Sequence, residues 1–341
     1  MSLDLPLVWA GLIAAAILAY VVLDGFDLGV GILFPFARGP KERDAMMNAI
    51  APYWDGNETW LVLGGGGLLA AFPVAYSVLL PAFYLPLILM LLALILRGVA
   101  FEFRIRGRRT GKAGWTFAFW LGSLVATLAQ GIILGGFIQG VVVRGGAFGG
   151  GAWTVFTPYS ALTAVGLVFG YALLGATWLM IRTQETLHAD ARRWTTFCAG
   201  CVAGLLASVS LATLFVHPRV ADRWGLSGQV FDASRFLPLT PIPLFGVLGF
   251  LVLVWGLRRH SHHLPFWGAV MVFLSGFAGL AAGFFPYIVP YAYTFRQAAN
   301  ADNALGFMLV GAGLLLPLIA AYTAWVYWIF RGKVGADAGY H

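Results

Sequence analysis

Long, nearly uninterrupted runs of apolar residues dominate this chain, and they constrain its fold more than any other feature. A helix needs about 20 apolar residues to cross the hydrocarbon core of a bilayer. Of the 341 residues, 60% are hydrophobic and only 10% are charged, whereas a soluble domain carries about 25% charged residues. The sequence therefore predicts a polytopic membrane protein and argues against a soluble protein with a large core.

Nine of these runs are long enough to span a membrane. They are continuous and lack the alternation of a barrel strand, which indicates helices. We place them near residues 7–36, 57–76, 78–101, 115–141, 158–181, 195–216, 239–257, 265–289 and 304–330. The prediction is an all-α polytopic membrane protein of nine transmembrane helices, arranged as two four-helix bundles plus one peripheral helix. We expect a single integral membrane domain over residues 1–341.

The basic residues predict how the chain is oriented. Fifteen of the 21 Lys and Arg residues follow odd-numbered spans, and only five lie on the opposite side. Because positive charge stays on the cytoplasmic side, the N-terminus is predicted to be periplasmic and the C-terminus cytoplasmic. The net charge of +7 therefore indicates topology and contact with anionic lipid, and no nucleic-acid partner is expected.

The histidines and cysteines argue against a redox centre in this chain. A membrane cytochrome needs axial ligands inside its helices, but every histidine falls in a predicted loop, at a span end or at the terminus: His188, His217, His260, His262, His263 and His341. We therefore expect no haem and no metal here, and we interpret the RHSHH segment as a solvated turn rather than a weak metal site. The CxxC spacing of Cys198 and Cys201 lies in an apolar span without a βαβ context, which favours a structural role.

Two aspartates, Asp24 and Asp27, interrupt the first apolar run in the segment LDGFDLGVG. A charged residue at membrane depth costs about 2.5–3.5 kcal/mol on insertion scales, and such residues usually mark ion or proton pathways. Because they are three residues apart, the two carboxylates share one face of a helix. The sequence predicts a proton-uptake route that opens to the cytoplasm, with Asp24 as its innermost member.

Two further charged pairs lie near the same predicted membrane face. Asp55 and Glu58 begin the second span, where they either join the proton route or form a capping box at a helix N-terminus. Arg97 and Glu102 end the third span. Arg97 is either the counter-ion of a buried carboxylate or an arginine that snorkels to the lipid headgroups. The residues alone leave both pairs of alternatives open.

Six segments together carry a family resemblance. In chain order they are LDGFDLGVG (23–31), NAIAPYWDGNETW (48–60), LRGVAFEFR (96–104), RTQETLH (182–188), FFPYIVP (284–290) and YTAWVYW (322–328). This set resembles subunit II of the cytochrome bd family of quinol oxidases, including its cyanide-insensitive branch. The resemblance covers essentially the whole chain, and the combination of DGFDxGVG with WDGNxxW is its most specific part.

The resemblance implies a function for the chain as one subunit of an enzyme. It implies a haem-free subunit II of a respiratory quinol:dioxygen oxidoreductase in the bacterial inner membrane, paired with a subunit I that holds the b-type and d-type haems. Such a complex oxidises membrane quinol at the outer face and reduces dioxygen to water with cytoplasmic protons, which makes it electrogenic. Some relatives bind a structural quinone in subunit II or carry small accessory subunits, and the sequence does not decide either point.

The resemblance also implies roles for individual residues. Acids of the family's proton path correspond to Asp24 or Asp27 and to Asp55, and Arg97 matches an arginine near that path. Trp60 matches a tryptophan that lines an oxygen-access channel in some members, although an interfacial anchor explains it equally well. Glu58 departs from the family's pattern, which makes a proton role weaker for it than for Asp55.

Two other functions compete with this hypothesis. Nine spans with clustered carboxylates also fit a proton-coupled secondary transporter, but such a transporter is expected to show repeats or interrupted helices near the midplane. The alternative to both is a purely structural assembly subunit.

Overall fold

The computed structural model describes residues 3–106, 112–226 and 231–334, and these are almost entirely helical. The helices are α1 (Leu5–Leu33), α2 (Pro40–Ile50), α3 (Trp54–Ala71), α4 (Pro73–Ala82), α5 (Tyr84–Arg106), α6 (Lys112–Gln139), α7 (Pro158–Arg182), α8 (Glu185–Val216), α9 (Pro218–Arg223), α10 (Ala233–Phe236), α11 (Pro241–Arg258), α12 (Leu264–Phe284), α13 (Phe295–Ala298) and α14 (Asp302–Ile329). Short 3-10 turns cover Phe34–Phe36 and Leu237–Leu239.

Two small antiparallel hairpins interrupt the helices. Strand β1 (Val143–Arg144) pairs with β2 (Ala147–Phe148), and β3 (Tyr287–Val289) pairs with β4 (Tyr293–Thr294). Each hairpin follows the end of a long helix, α6 or α12, so the predicted eighth span ends at Phe284 rather than near residue 289.

Eight of the described helices are long and apolar enough to cross a membrane, namely α1, α5, α6, α7, α8, α11, α12 and α14. The prediction of an all-α multi-pass membrane protein is therefore confirmed. The predicted second and third spans have different bounds in the structure, because the chain breaks at Phe72 and Phe83 into α3, α4 and α5. Pro73 accounts for the first break, since proline is favoured at the start of a helix and costs a backbone hydrogen bond in a helix interior.

Helix α1 lies at the centre of the fold and packs against α3, α6 and α7. Its second half, residues 24–34, is buried without interruption. The contact with α7 depends on glycine: a Cβ atom added to Gly29 would lie 1.8 Å from the Tyr171 carbonyl oxygen, and one added to Gly175 would lie 2.4 Å from the Gly29 carbonyl carbon. Small residues thus let the two backbones touch, as in other membrane helix pairs.

Helix α3 runs antiparallel to α1 along its length. A Cβ atom at Gly64 would contact Ile17 and one at Gly67 would contact Ile13, whereas Asn57, at the other end of α3, donates a hydrogen bond to the Leu23 carbonyl oxygen. The remaining long helices form the adjacent pairs α5–α6, α7–α8 and α11–α12. Helix α14 lies at the periphery, with only 6% of its most apolar segment buried.

Gly29→Ala tests whether this close approach holds the fold together. We expect the free energy of unfolding to fall by about 1–3 kcal/mol, the usual cost of overpacking, because the new methyl group meets backbone rather than a movable side chain. Thermal unfolding of the purified protein in detergent measures the change. Gly11→Ala on the same helix, where nothing lies within 4 Å of the added atom, is the matched control, and equal effects of the two substitutions would contradict this account.

Candidate functional site

Arg97 is the centre of a buried polar cluster between α1, α3 and α5. Its Nη1 donates to Asp24 Oδ1 at 2.8 Å, and its Nη2 donates to Glu58 Oε2 at 3.1 Å. The guanidinium also lies 5.8 Å from the centre of the Trp54 ring. Arg97 is 1% exposed and Asp24 is fully buried. The snorkelling alternative is therefore wrong, and Arg97 is the counter-ion of a buried carboxylate.

Asp27, one turn beyond Asp24, has neutral partners. Asn57 Nδ2 donates to Asp27 Oδ2 at 2.7 Å, and the Tyr327 hydroxyl donates to Asn57 Oδ1 at 2.9 Å. Asn57 and Asp27 are both buried. This chain of hydrogen bonds connects α1 through α3 to the peripheral helix α14. Sequence reasoning missed Asn57 and Tyr327 because both are neutral, although each lies inside a segment that carries the family resemblance.

A second polar chain reaches Asp24 from the side of α6 and α7. The Tyr171 hydroxyl donates to Gln130 Oε1 at 2.8 Å, and Gln130 Nε2 donates to the Tyr20 hydroxyl at 2.8 Å. The Tyr20 hydroxyl lies beside the Asp24 carboxylate. None of these three residues was singled out from the sequence. The available signal was Gln130, an amide within the apolar run LVATLAQGIIL of α6.

Asp55 and Glu58 lie at the start of α3 but do not form a capping box. The helix begins at Trp54, its N-cap residue is Tyr53, and no side chain caps it. The capping prediction is therefore wrong, because it placed the N-cap at Asp55, two residues after the actual N-cap Tyr53. Asp55 is exposed, and the Glu58 side chain, one turn further on, is 27% exposed. The pair thus extends from the surface to the buried guanidinium.

Two other predicted site residues lie near the cluster without a described bond to its arginine. Glu102 is half-buried on α5, five residues after Arg97, whose described bonds go to Asp24 and Glu58. Trp60 is half-buried on α3, and its buried indole Nε1 has no hydrogen-bond partner among the described residues.

The thiols and imidazoles lie elsewhere. Cys198 and Cys201 are free thiols. His188 and His262 lie together at a helix end, with ring centres 4.6 Å apart. Across the part of the chain that the structure describes, no group of three or more His, Cys, Asp or Glu side chains is arranged to hold a metal ion.

The cluster contains one permanent cation and three carboxylates, those of Asp24, Asp27 and Glu58. With all three ionised, the group would carry a net charge of −2 in a region of low dielectric constant, where unpaired charge is costly. A proton held by one carboxyl removes part of that cost. The arrangement can therefore accept a proton at its exposed end and hold it near Asp24.

Arg97→Gln tests how the cluster is stabilised. It leaves two carboxylates near one another without their cation, so we expect a loss of about 3–5 kcal/mol in the free energy of unfolding, as for other broken buried ion pairs. The double variant Arg97→Gln/Asp24→Asn removes both charges of the buried ion pair and should be more stable than the single variant. Thermal unfolding in detergent compares the two, and a double variant at least as unstable as the single one would show that the ion pair is not the dominant interaction.

The chain is similar to known proteins over nearly its whole length. Residues 5–330 match the family model described as cytochrome bd terminal oxidase subunit II. The chain is 30% identical to cytochrome bd-I ubiquinol oxidase subunit 2 of Escherichia coli K12, over 97% of this chain and 95% of that protein. It is 28% identical to cytochrome bd ubiquinol oxidase subunit 2 of Bacillus subtilis, over 96% of each. A chain of the bd oxidase structure from Geobacillus thermodenitrificans has the same fold, with a TM-score of 0.76, 18% identity, and coverage of 97% of this chain and 100% of that one.

Proposed function

This chain belongs to the family of cytochrome bd terminal oxidase subunit II, and from that premise we propose that it supplies a proton-uptake route to a haem-bearing partner subunit. Membership makes it a multi-pass inner-membrane subunit of a respiratory oxidoreductase complex, which implies a subunit I as its partner. It also favours the oxidase hypothesis over a proton-coupled transporter.

The observation that carries the proposal is the burial of Arg97 together with more carboxylates than it can neutralise. Protons enter at Asp55, which is exposed, and pass to Glu58, which is in contact with both the surface and the guanidinium. From Glu58 they reach Asp24, because both carboxyl groups bond to the Arg97 guanidinium, which holds them close together without itself carrying the proton. Asp27, one turn beyond Asp24 on α1, is the next acid of the route, and the hydrogen bond from Asn57 holds its carboxylate in position. Glu102 is retained as an accessory acid at the inner end of α5.

We assign the redox cofactors to the partner. In the described part of this chain the histidines lie at helix ends and in turns, where a buried haem would not find two axial ligands. Reduction of dioxygen to water with cytoplasmic protons and with electrons from quinol oxidised at the outer face makes the complex electrogenic. Trp60 stays a candidate for oxygen access, since its half-buried ring lies on α3 beside this route.

We further propose that α3 is a ninth membrane crossing. The polar residues in its first two turns make α3 less apolar than the other eight spans. It nevertheless lies antiparallel along α1 from Asn57 to Gly67. Nine crossings place the N-terminus outside and the C-terminus inside, in one integral domain. In this arrangement α1, α3, α5 and α6 form one four-helix bundle, α7, α8, α11 and α12 form the other, and α14 is the peripheral helix.

Asp24→Asn tests the proton route. We expect quinol-driven oxygen consumption and proton uptake in proteoliposomes to fall about tenfold or more, as for other proton-transfer groups, because the amide cannot carry the proton. The conservative variant Asp24→Glu should retain more turnover than Asp24→Asn. Asp302→Asn, at an exposed acid that begins α14, should be unchanged.

An unaltered haem spectrum of the purified complex shows that the Asp24→Asn variant has assembled. Full turnover in such an assembled variant would exclude Asp24 from the route and favour a purely structural role for this subunit.

Labelling the two ends of the chain tests whether the number of membrane crossings is odd or even. In a background with Cys198→Ala and Cys201→Ala, we expect a membrane-impermeant maleimide to label Leu3→Cys in spheroplasts and Arg331→Cys only in inside-out vesicles. Both positions are exposed. Labelling of both cysteines from the same side would mean an even number of crossings and would rule out α3 as the ninth.

A further inference from the structure

A basic pocket lies at the end of the molecule where α7, α11 and α14 terminate and where α8 and α12 begin. It has a volume of about 560 Å³. Two arginines and three histidines line it, namely Arg192, Arg193, His188, His260 and His262. Within the described part of the chain, no Asp or Glu belongs to its lining. The pocket is on different helices from the Arg97 cluster, and nothing in the proton route uses it.

The charge of Arg192 is not neutralised by a carboxylate in the described hydrogen bonds. Its Nη2 donates to the Leu257 carbonyl oxygen at 2.6 Å, and its Nη1 contacts His260 Nδ1. Neither partner is a carboxylate, so these contacts hold the guanidinium in place and leave its positive charge uncompensated. Arg193 shares Asp190 with Arg38, which lies closer to that carboxylate, at 2.6 Å against 3.4 Å.

The histidines add ring nitrogens that can bind a ligand in the pocket. His188 Nδ1 is 3.0 Å from the Met180 carbonyl oxygen, which leaves Nε2 for another partner. The buried Nδ1 of His262 has no hydrogen-bond partner among the described residues. Burial, with the nearby charges of Lys333 and His263, lowers the pKa of His262. The neighbourhood therefore disfavours a further positive charge on this ring.

The surroundings of the pocket match a lipid better than a small soluble anion. Helices α8 and α11 make few contacts with each other, so a cleft separates them beside the pocket. Phe197 lies one helical turn beyond Arg193 on the same face of α8 and is 66% exposed, and Trp267 at the start of α12 is 58% exposed. Basic side chains at a helix end with exposed aromatic groups next to them fit a phosphate head with apolar chains.

We propose that this pocket binds the phosphodiester headgroup of an anionic membrane phospholipid. Arg192 and Arg193 provide charge-assisted hydrogen bonds to the phosphate oxygens, and the acyl chains lie along the cleft between α8 and α11. The bound lipid fills the space between the α7–α8 pair and the α11–α12 pair, so it also contributes to the packing of these helices.

The experiment uses the intact oxidase complex, delipidated in detergent. Phosphatidylglycerol is titrated in mixed micelles with phosphatidylcholine, and bound lipid is counted by native mass spectrometry. We expect Arg192→Gln/Arg193→Gln to weaken phosphatidylglycerol binding about tenfold or more. The matched control, Arg258→Gln/Arg259→Gln, removes the same charge from exposed positions at the adjacent end of α11 and should bind as the parent does.

A second variant controls for a folding defect that loss of the Arg192 bond to Leu257 would cause. Arg193→Gln/His262→Gln leaves that bond intact and should weaken binding in the same direction. Equal affinity in pocket and control variants overturns the proposal, because general surface charge would then explain the binding. Inorganic phosphate is titrated in parallel: displacement of the lipid by phosphate at equal phosphate concentration would identify a free-anion site and overturn the lipid assignment.

Discussion

The ion pair between Arg97 and Asp24 is the constraint around which the rest of the structure is arranged. An arginine cannot lose its charge inside a protein, so burying it requires a carboxylate nearby and helices close enough to exclude lipid. Glycines provide that closeness, since Gly122 of α6 lies against the Arg97 backbone, and Gly29 and Gly175 bring the backbones of α1 and α7 into contact. As a result, the second half of α1 is sealed from the surroundings while its first half is half-buried. The polar centre and the tightest packing occupy the same region of the molecule.

The same region also determines how the peripheral helix α14 is held. Apolar burial provides little attraction between helices in lipid, and α14 buries almost none of its apolar segment. Polar bonds at its C-terminal end replace that contribution: Tyr327 bonds to Asn57, and the Phe330 carbonyl oxygen accepts hydrogen bonds from Tyr53 and Arg182. At its N-terminal end, the Trp9 indole donates to the Leu305 carbonyl oxygen. The position of α14 is thus linked to the Asp27 side of the polar cluster, which gives a partner that contacts α14 a physical connection to the site.

Hydropathy was sufficient for the class of fold and for eight of the spans, because missing charge over about 20 residues has no other common explanation. Charged residues in apolar runs were likewise sufficient to find Asp24 and Arg97. The site residues that the sequence did not reveal are uncharged, and their role depends on which helices lie next to them. Gln130 and Asn57 carry no charge, so no burial cost marks them out, and their role follows only from which helices meet. Helix α8 begins at Glu185, ten residues before the predicted span, because a helix can continue into water where a hydropathy scan stops.

The ratio of one cation to three carboxylates decides what the cluster can do chemically. In a single buried Arg–Asp pair, the arginine would keep the carboxylate permanently ionised, so the pair would not exchange a proton. Here Glu58 competes with Asp24 for the same guanidinium, so a proton that arrives on one acid leaves the other better paired. Asp27 has only neutral partners, and its Oδ1 has no hydrogen-bond partner in the described part of the chain. A proton on that oxygen would remain free to be donated further. The shortage of positive charge, which makes the cluster costly to build, is therefore the property that suits it to proton transfer.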